Sequence, residues 1–447
     1  MKKLLLISII LCVSAFLVSF LNSANTPKFK YSDFETPKYC GTTCHRDIYN
    51  QWSQSMMSQS YIHEWDEIEY FMLALPHARL DEKVAEVEAG CNGCHAPLAL
   101  LTGDIPPKPP SAGTRANEGV TCEVCHLIAG FEGDIPYNFN YIIKPGKTKY
   151  NSRIGEVASP VHKIEVNPIM KTGDFCGICH NEKSPYGVWV KSTHLEWKEG
   201  PYAKENVHCQ DCHMPRAQSI KAAMGKVYSD VRQHIFAGAH DPSKVRGTIE
   251  LKVYPDHSEC EPGDALKLSV TLYNQKTGHK FPTGSVEDRL VWLELVAIDE
   301  DGTKYHIPVN KKGFPGEEYT ISTKTLAYQD MGVPLKDPNF KGLERDDIPK
   351  GNRIFRMPYF DPQGRMTIQQ WNTASLGVDY RIGPRETKIE YFTFHIPENI
   401  KSKELTFKAT LYYQLLVSSV GKYLNVPEEE YRPFEVNTAY AKVKIID

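Results

Sequence analysis

Neither sign of charge dominates this sequence. Its 52 lysines and arginines are met by 55 aspartates and glutamates, a formal net charge of -3 with histidine neutral. So balanced a chain offers no basic footprint for nucleic acid. Long apolar runs are scarce too: after Leu4 to Leu21, no second stretch of that length occurs. Spacing singles out no catalytic acid or base, and the string C-x-x-C-K is missing.

Cysteine, in contrast, is plentiful, at 12 in 447 residues. In an exported chain such a count first suggests disulfides, but the spacing argues otherwise. Four stretches read C-x-x-C-H: Cys91-Asn-Gly-Cys94-His95, Cys122-Glu-Val-Cys125-His126, Cys176-Gly-Ile-Cys179-His180 and Cys209-Gln-Asp-Cys212-His213. A fifth, Cys40-Gly-Thr-Thr-Cys44-His45, carries one extra residue between its cysteines. With 12 cysteines and 16 histidines, chance supplies about 0.01 such strings. Haem attachment needs this spacing: two thiols add to the two vinyl groups of one haem, and the next residue turns its imidazole onto the iron. Zinc knuckles and redox dithiols need no histidine after every second cysteine. The expectation is five covalently attached haem c groups, with His45, His95, His126, His180 and His213 as proximal iron ligands. Ten cysteines are thereby used, leaving Cys12 and Cys260, so no disulfide is required.

Lys2 and Lys3 precede the apolar run, and a polar stretch follows it. Residues 1-24 therefore read as an export segment, either a cleaved signal peptide or a retained N-terminal membrane anchor. The expected location of the rest is periplasmic or extracellular. Residues 25-246 read as a pentahaem cytochrome c domain, mainly α and irregular, broken by proline and glycine. All five motifs lie there, with too little chain per haem for independent protein cores, so the haems themselves would dominate the core. Along the chain, motifs two and three lie close together, as do four and five. Residues 247-447 change to period-two alternation, in runs at 248-253, 266-272, 290-296, 388-394, 405-411 and 441-445. An all-β, immunoglobulin-like sandwich is expected there, with 311-386 as a long insertion.

Each iron with two histidine ligands needs a second imidazole. His77, His162, His234 and His240 are the leading candidates in the haem region, ahead of His63, His194 and His208. His279 stands in the sandwich, on a loop rich in turn residues.

The haem region resembles the multihaem cytochromes related to the tetrahaem cytochrome of nitrifying bacteria. The likeness rests on Tyr49-x-x-Trp52-x-x-Ser55, Cys94-His95-Ala-Pro97, Gly119-Val-Thr-Cys122, Ser159-Pro-Val-His162, Cys209-Gln-Asp-Cys212-His-Met-Pro215 and His234-Ile-Phe-Ala-Gly-Ala-His240. Thr277-Gly-His279-Lys-Phe-Pro-Thr-Gly284 is similar to a motif that follows the haem region in many such exported cytochromes. The resemblance implies closely stacked haems and redox shuttling, and it supports His162, His234 and His279 as distal ligands. Where the family pattern has a histidine after the tryptophan and serine, this chain has Met57. The first haem is therefore expected to have methionine or an open position as its sixth ligand.

The leading functional expectation is electron transfer between a respiratory donor protein and an acceptor, with oligomerisation left open. One alternative is an oxidoreductase acting on a small nitrogen or sulfur compound at an open first haem. The other is a subunit of an extracellular haem filament.

Overall fold

The four regular motifs each lie on a short helix, Val87–His95, Cys122–Leu127, Gly173–His180 and Cys209–His213. Residues three and four apart share one helical face, so both thiols and the imidazole emerge together. The first motif solves its extra residue differently. Its helix, Pro37–Thr43, stops before Cys44, and the amide of His45 returns to the carbonyl of Cys40 at 2.9 Å. The longer gap is absorbed in a widened turn, and His45 then begins the helix Arg46–Trp52. Glycines within the motifs let rings press on these helices: a Cβ on Gly93 would meet the Phe139 ring at 2.2 Å.

The computed structural model describes residues 28–153, 159–223, 225–323, 331, 338–343 and 348–446. The apolar segment at 1-24, with Cys12, lies outside them. Among the described residues, no helix is long and apolar enough to cross a membrane.

From Ile249 onward the chain is strand-rich. The six alternating runs fall on the strands Ile249–Pro255, Ala265–Asn274, Leu290–Ile298, Thr387–His395, Glu404–Gln414 and Phe434–Ile445. Period two puts Leu266, Leu268, Val270 and Leu272 on one face, all buried, with their neighbours turned outward. Ala265–Asn274 pairs with Thr387–His395 on one side and Ile249–Pro255 on the other, in a three-stranded antiparallel sheet. The second sheet runs Glu259–Cys260, Phe434–Ile445, Glu404–Gln414, Leu290–Ile298, Lys304–His306. The two sheets close on one apolar core containing Val270, Phe392, Leu293, Phe407 and the unpaired Cys260.

The strand region is not a separate bead. A second core joins Trp65, Leu73, Leu75 and Val87 of the haem region to Trp292, Ile354, Trp371 and Val420. The segment 311-386 supplies much of this junction, which gives the insertion its physical purpose. The helices that it clamps include one π turn, Glu69–Ala74, just ahead of Pro76. Proline has no amide hydrogen to continue the regular ladder, and the widened turn leaves Glu69 lining the interior cavity.

Candidate haem centre

A cavity of about 2320 Å³ runs through the N-terminal region, and all ten motif cysteines line it. Ordinary ligand sites hold roughly 300–1,000 Å³, so this space suits several large groups in contact. The thiol of Cys40 meets that of Cys122, Cys94 meets Cys179, and Cys176 meets Cys209. Motif one is therefore beside motif three, two beside four, and four beside five. Neighbourhood along the chain pointed to two with three. The fold joins one with three and two with four, motifs that are remote along the chain.

Three imidazole pairs face one another across the cavity. His45 and His162 have ring centroids 6.2 Å apart, tilted by 32°. His126 and His234 lie 6.4 Å apart at 20°, and His213 and His279 lie 6.4 Å apart at 19°. Two metal–nitrogen bonds of about 2 Å, with a ring radius at each end, require a separation of about 6 Å. Rings in direct contact come closer, as His63 and His240 do at 5.0 Å. The three wider pairs thus fit an iron held between two imidazoles.

Backbone carbonyls orient the rings. Nδ1 of His45 faces Lys221 O at 2.5 Å, His95 faces Ser60 O at 2.8 Å, His126 faces Tyr150 O at 2.7 Å, and His213 faces Ala237 O at 2.7 Å. His234 and His279 are held likewise, by Arg232 O at 3.1 Å and Lys280 O at 2.9 Å. Donation from Nδ1–H leaves Nε2 as the lone-pair atom directed inward. Burial pushes His180, His213 and His234 down to about 4, so these rings remain neutral and able to bind a metal.

The structure places three of the expected ligands away from an iron-spanning pair. His162, not Met57, stands opposite His45. The parallel pairing of Thr148–Asn151 with Lys163–Val166 carries His162 there. Met57 lines the cavity, in a helical turn whose backbone carbonyl accepts from Val120 N. His77 is absent from the cavity wall. Trp371 Nε1 donates to its Nδ1 at 3.2 Å, and its Nε2 lies 3.9 Å from Asp81, so the insertion has captured it. His240 does reach the cavity, but its ring packs on His63, and its Nε2 lies 3.8 Å from Glu430.

Matches to known families agree with this chemistry. Residues 39–127 match the family described as cytochrome c554 and c-prime, and residues 155–248 match the NapC/NirT cytochrome c family, N-terminal region. The chain thus carries two stretches that match families of c-type cytochromes. It is similar in fold to a penta-heme cytochrome c552 from Thermochromatium tepidum, at 22% identity and a TM-score of 0.59. That match covers 92% of this chain and 99% of the other. A CARDB domain from Pyrococcus furiosus covers 44% of this chain and 87% of its own, at 11% identity. Its TM-score of 0.18 carries no weight.

The chain holds a second feature that spacing did not reveal. Among the described residues, no imidazole is paired across the cavity with His95 or His180. Beside Cys91 of the His95 motif lies a sheltered cluster of titratable side chains. Lys191 Nζ is 2.9 Å from Glu182, with Glu69, Glu287 and Asp288 as further charged neighbours. Burial raises Glu69 and Glu287 well above the carboxylate range and pushes Asp288 to about 6.

The sign for Asp288 follows from its elevated value. Its contribution to stability is fully present below about 3.8 and is lost as pH rises through about 6. The Asp288→Asn variant should therefore gain on the wild type as pH rises from 5 to 8. The difference should reach at most about 3 kcal/mol. Thermal unfolding of both proteins across that range checks this, and a pH-independent difference would remove Asp288 from the titrating cluster.

Proposed function

We propose that this chain carries electrons outside the cytoplasm, from a donor protein to an acceptor protein, through five covalently attached haem c groups. The observation that carries the reading is the set of three imidazole pairs at iron-spanning separation, with all five motifs on one continuous cavity. When bound, each haem supplies an iron that passes between ferric and ferrous states. The chain's own work is to orient and to exclude. Carbonyls fix the imidazoles, while Leu98, Val124, Leu127 and Ile178 pack dry against the attachment helices. His45 with His162, His126 with His234, and His213 with His279 are the ligand pairs of this proposal.

The proposal assigns residues 25-246 to the haem domain and 247-447 to an immunoglobulin-like sandwich. Two sheets around one core favour the second assignment. Export through the segment at 1-24 belongs to the same reading.

One observation favours a second reading, catalysis on a small nitrogen or sulfur compound. Among the described residues, His95 and His180 have no paired imidazole, and the sheltered Lys191 cluster adjoins the first of them. The site of any such chemistry moves from the first haem to these two. Mass measurement of the denatured protein should show five haem units above the polypeptide; four would remove Cys40 and Cys44. Carbon monoxide added to the reduced protein then separates carrier from catalyst. An unchanged spectrum would end the catalytic reading, while binding at one or two haems would support it.

A further inference from the structure

We propose that His63, His240 and Glu430 form a binding site for a divalent first-row transition metal, distinct from the haem irons. The three residues come from remote segments. His63 precedes the helix Glu64–Ile68, His240 precedes Pro242–Val245, and Glu430 lies in the short helix Glu428–Tyr431 beside the last strand. One ligand atom from each residue lies within 4.8 Å of the other two. His63 Nε2 is 3.1 Å from one oxygen of Glu430, and His240 Nε2 is 3.8 Å from the other. Ligands on one ion at metal–nitrogen and metal–oxygen distances of about 2 Å stand roughly 3–3.5 Å apart. The three ligand atoms lie within 4.8 Å of one another, so side-chain movements of up to roughly an ångström would bring the set onto one metal.

The surroundings match those of built metal sites. Asp66 places a carboxylate oxygen 3.2 Å from His63 Nδ1, behind the ligating nitrogen. A carboxylate in that position orients a metal-bound imidazole and strengthens it as a donor. The side chains of His63, Glu430 and His240 are 10%, 20% and 29% exposed. The pocket is sheltered but still reachable by an ion. Two imidazoles with one carboxylate suit zinc and its first-row neighbours rather than magnesium or calcium, which prefer oxygen. The ion would tie the C-terminal region to the haem region at a point next to an iron. Asp66 also lies 3.4 Å from Nδ1 of His95, so metal charge would be felt at that haem.

Zinc is the probe. The haem-loaded full-length protein, stripped with a chelator, is titrated with zinc ions by calorimetry. One ion per chain should bind. Glu430→Gln and His240→Ala should each weaken binding by at least roughly 100-fold. Asp66→Asn should weaken it by about 10–100-fold, as loss of an orienting partner does. The haem absorption spectrum of His240→Ala should match the wild type. A changed spectrum would make His240 an iron ligand and overturn the proposal. Absence of zinc binding, or binding indifferent to Glu430→Gln and His240→Ala, would overturn it equally. If Glu430→Gln fails to fold, Glu430→Asp shortens the ligand by one methylene and tests the same geometry.

Discussion

The His279→Met variant is expected to raise the potential of one haem and leave the others unchanged. His279 reaches the haem region from the loop after the strand Ala265–Asn274, and its ring lies nearly parallel to that of His213. A thioether donates less to ferric iron than an imidazole does, so the ferrous form gains and the potential rises. Axial ligands span about 0.8 V in all, so one such exchange should move the potential by on the order of 0.1 V. The loop is firmly docked. Glu196 accepts from Lys280 N at 3.2 Å, from Thr283 Oγ1 at 2.7 Å and from Arg381 at 2.6 Å. The substitution should therefore alter the ligand without releasing the loop. A redox titration that overlays the wild type would dismiss His279 as a ligand.

Arg353→Met should produce the largest loss of stability in the strand region. The guanidinium is fully buried, with Nε 2.9 Å from Glu390 and one Nη 2.8 Å from Glu317. A third bond reaches Thr320 at 2.7 Å, and the ring of Tyr380 stacks on the cation at 5.0 Å. Glu390 is itself fully buried, and its other cationic partner is Lys312 at 3.0 Å. Removing the arginine strands charge in an apolar interior, a loss of about 3–5 kcal/mol. Replacing both partners, as Arg353→Met with Glu390→Leu, should recover part of that, because a buried pair exchanged for apolar groups is often close to neutral. Denaturant unfolding of the three proteins provides the comparison. A single variant within about 1 kcal/mol of the wild type would show that the cluster is hydrated after all.

The attachment motifs were legible because they are local. Cys91, Cys94 and His95 share a face through helical geometry alone, and a reader of the chain needs no tertiary information to see it. The strands were legible for the same reason. Alternation in Leu266-Lys-Leu-Ser-Val-Thr-Leu272 reflects the two-residue repeat of extended backbone. The resemblance added His162, His234 and His279, which the structure sets opposite three proximal histidines. It also suggested that Met57 marks the first iron, whereas the structure sets His162 opposite His45. The departure at residue 57 is real, but the turn that bears it belongs beside Val120, while His162 arrives at His45 from elsewhere.

The sequence by itself determined where the attachment motifs lie, because each is complete within five or six consecutive residues. It likewise determined where the chain becomes extended. Tertiary structure alone decided which motifs touch, which imidazoles face one another across the cavity, and why His77 and His240 turn elsewhere. It also gathered Lys191 with Glu69, Glu182, Glu287 and Asp288, residues with no shared spacing. These choices depend on how distant segments pack. His77 is held by Trp371 and Asp81, and His240 lies against His63 near Glu430, all contacts that no local period encodes. A histidine becomes a ligand only where the packed chain leaves its nitrogen facing a metal and supplies a carbonyl to hold the other.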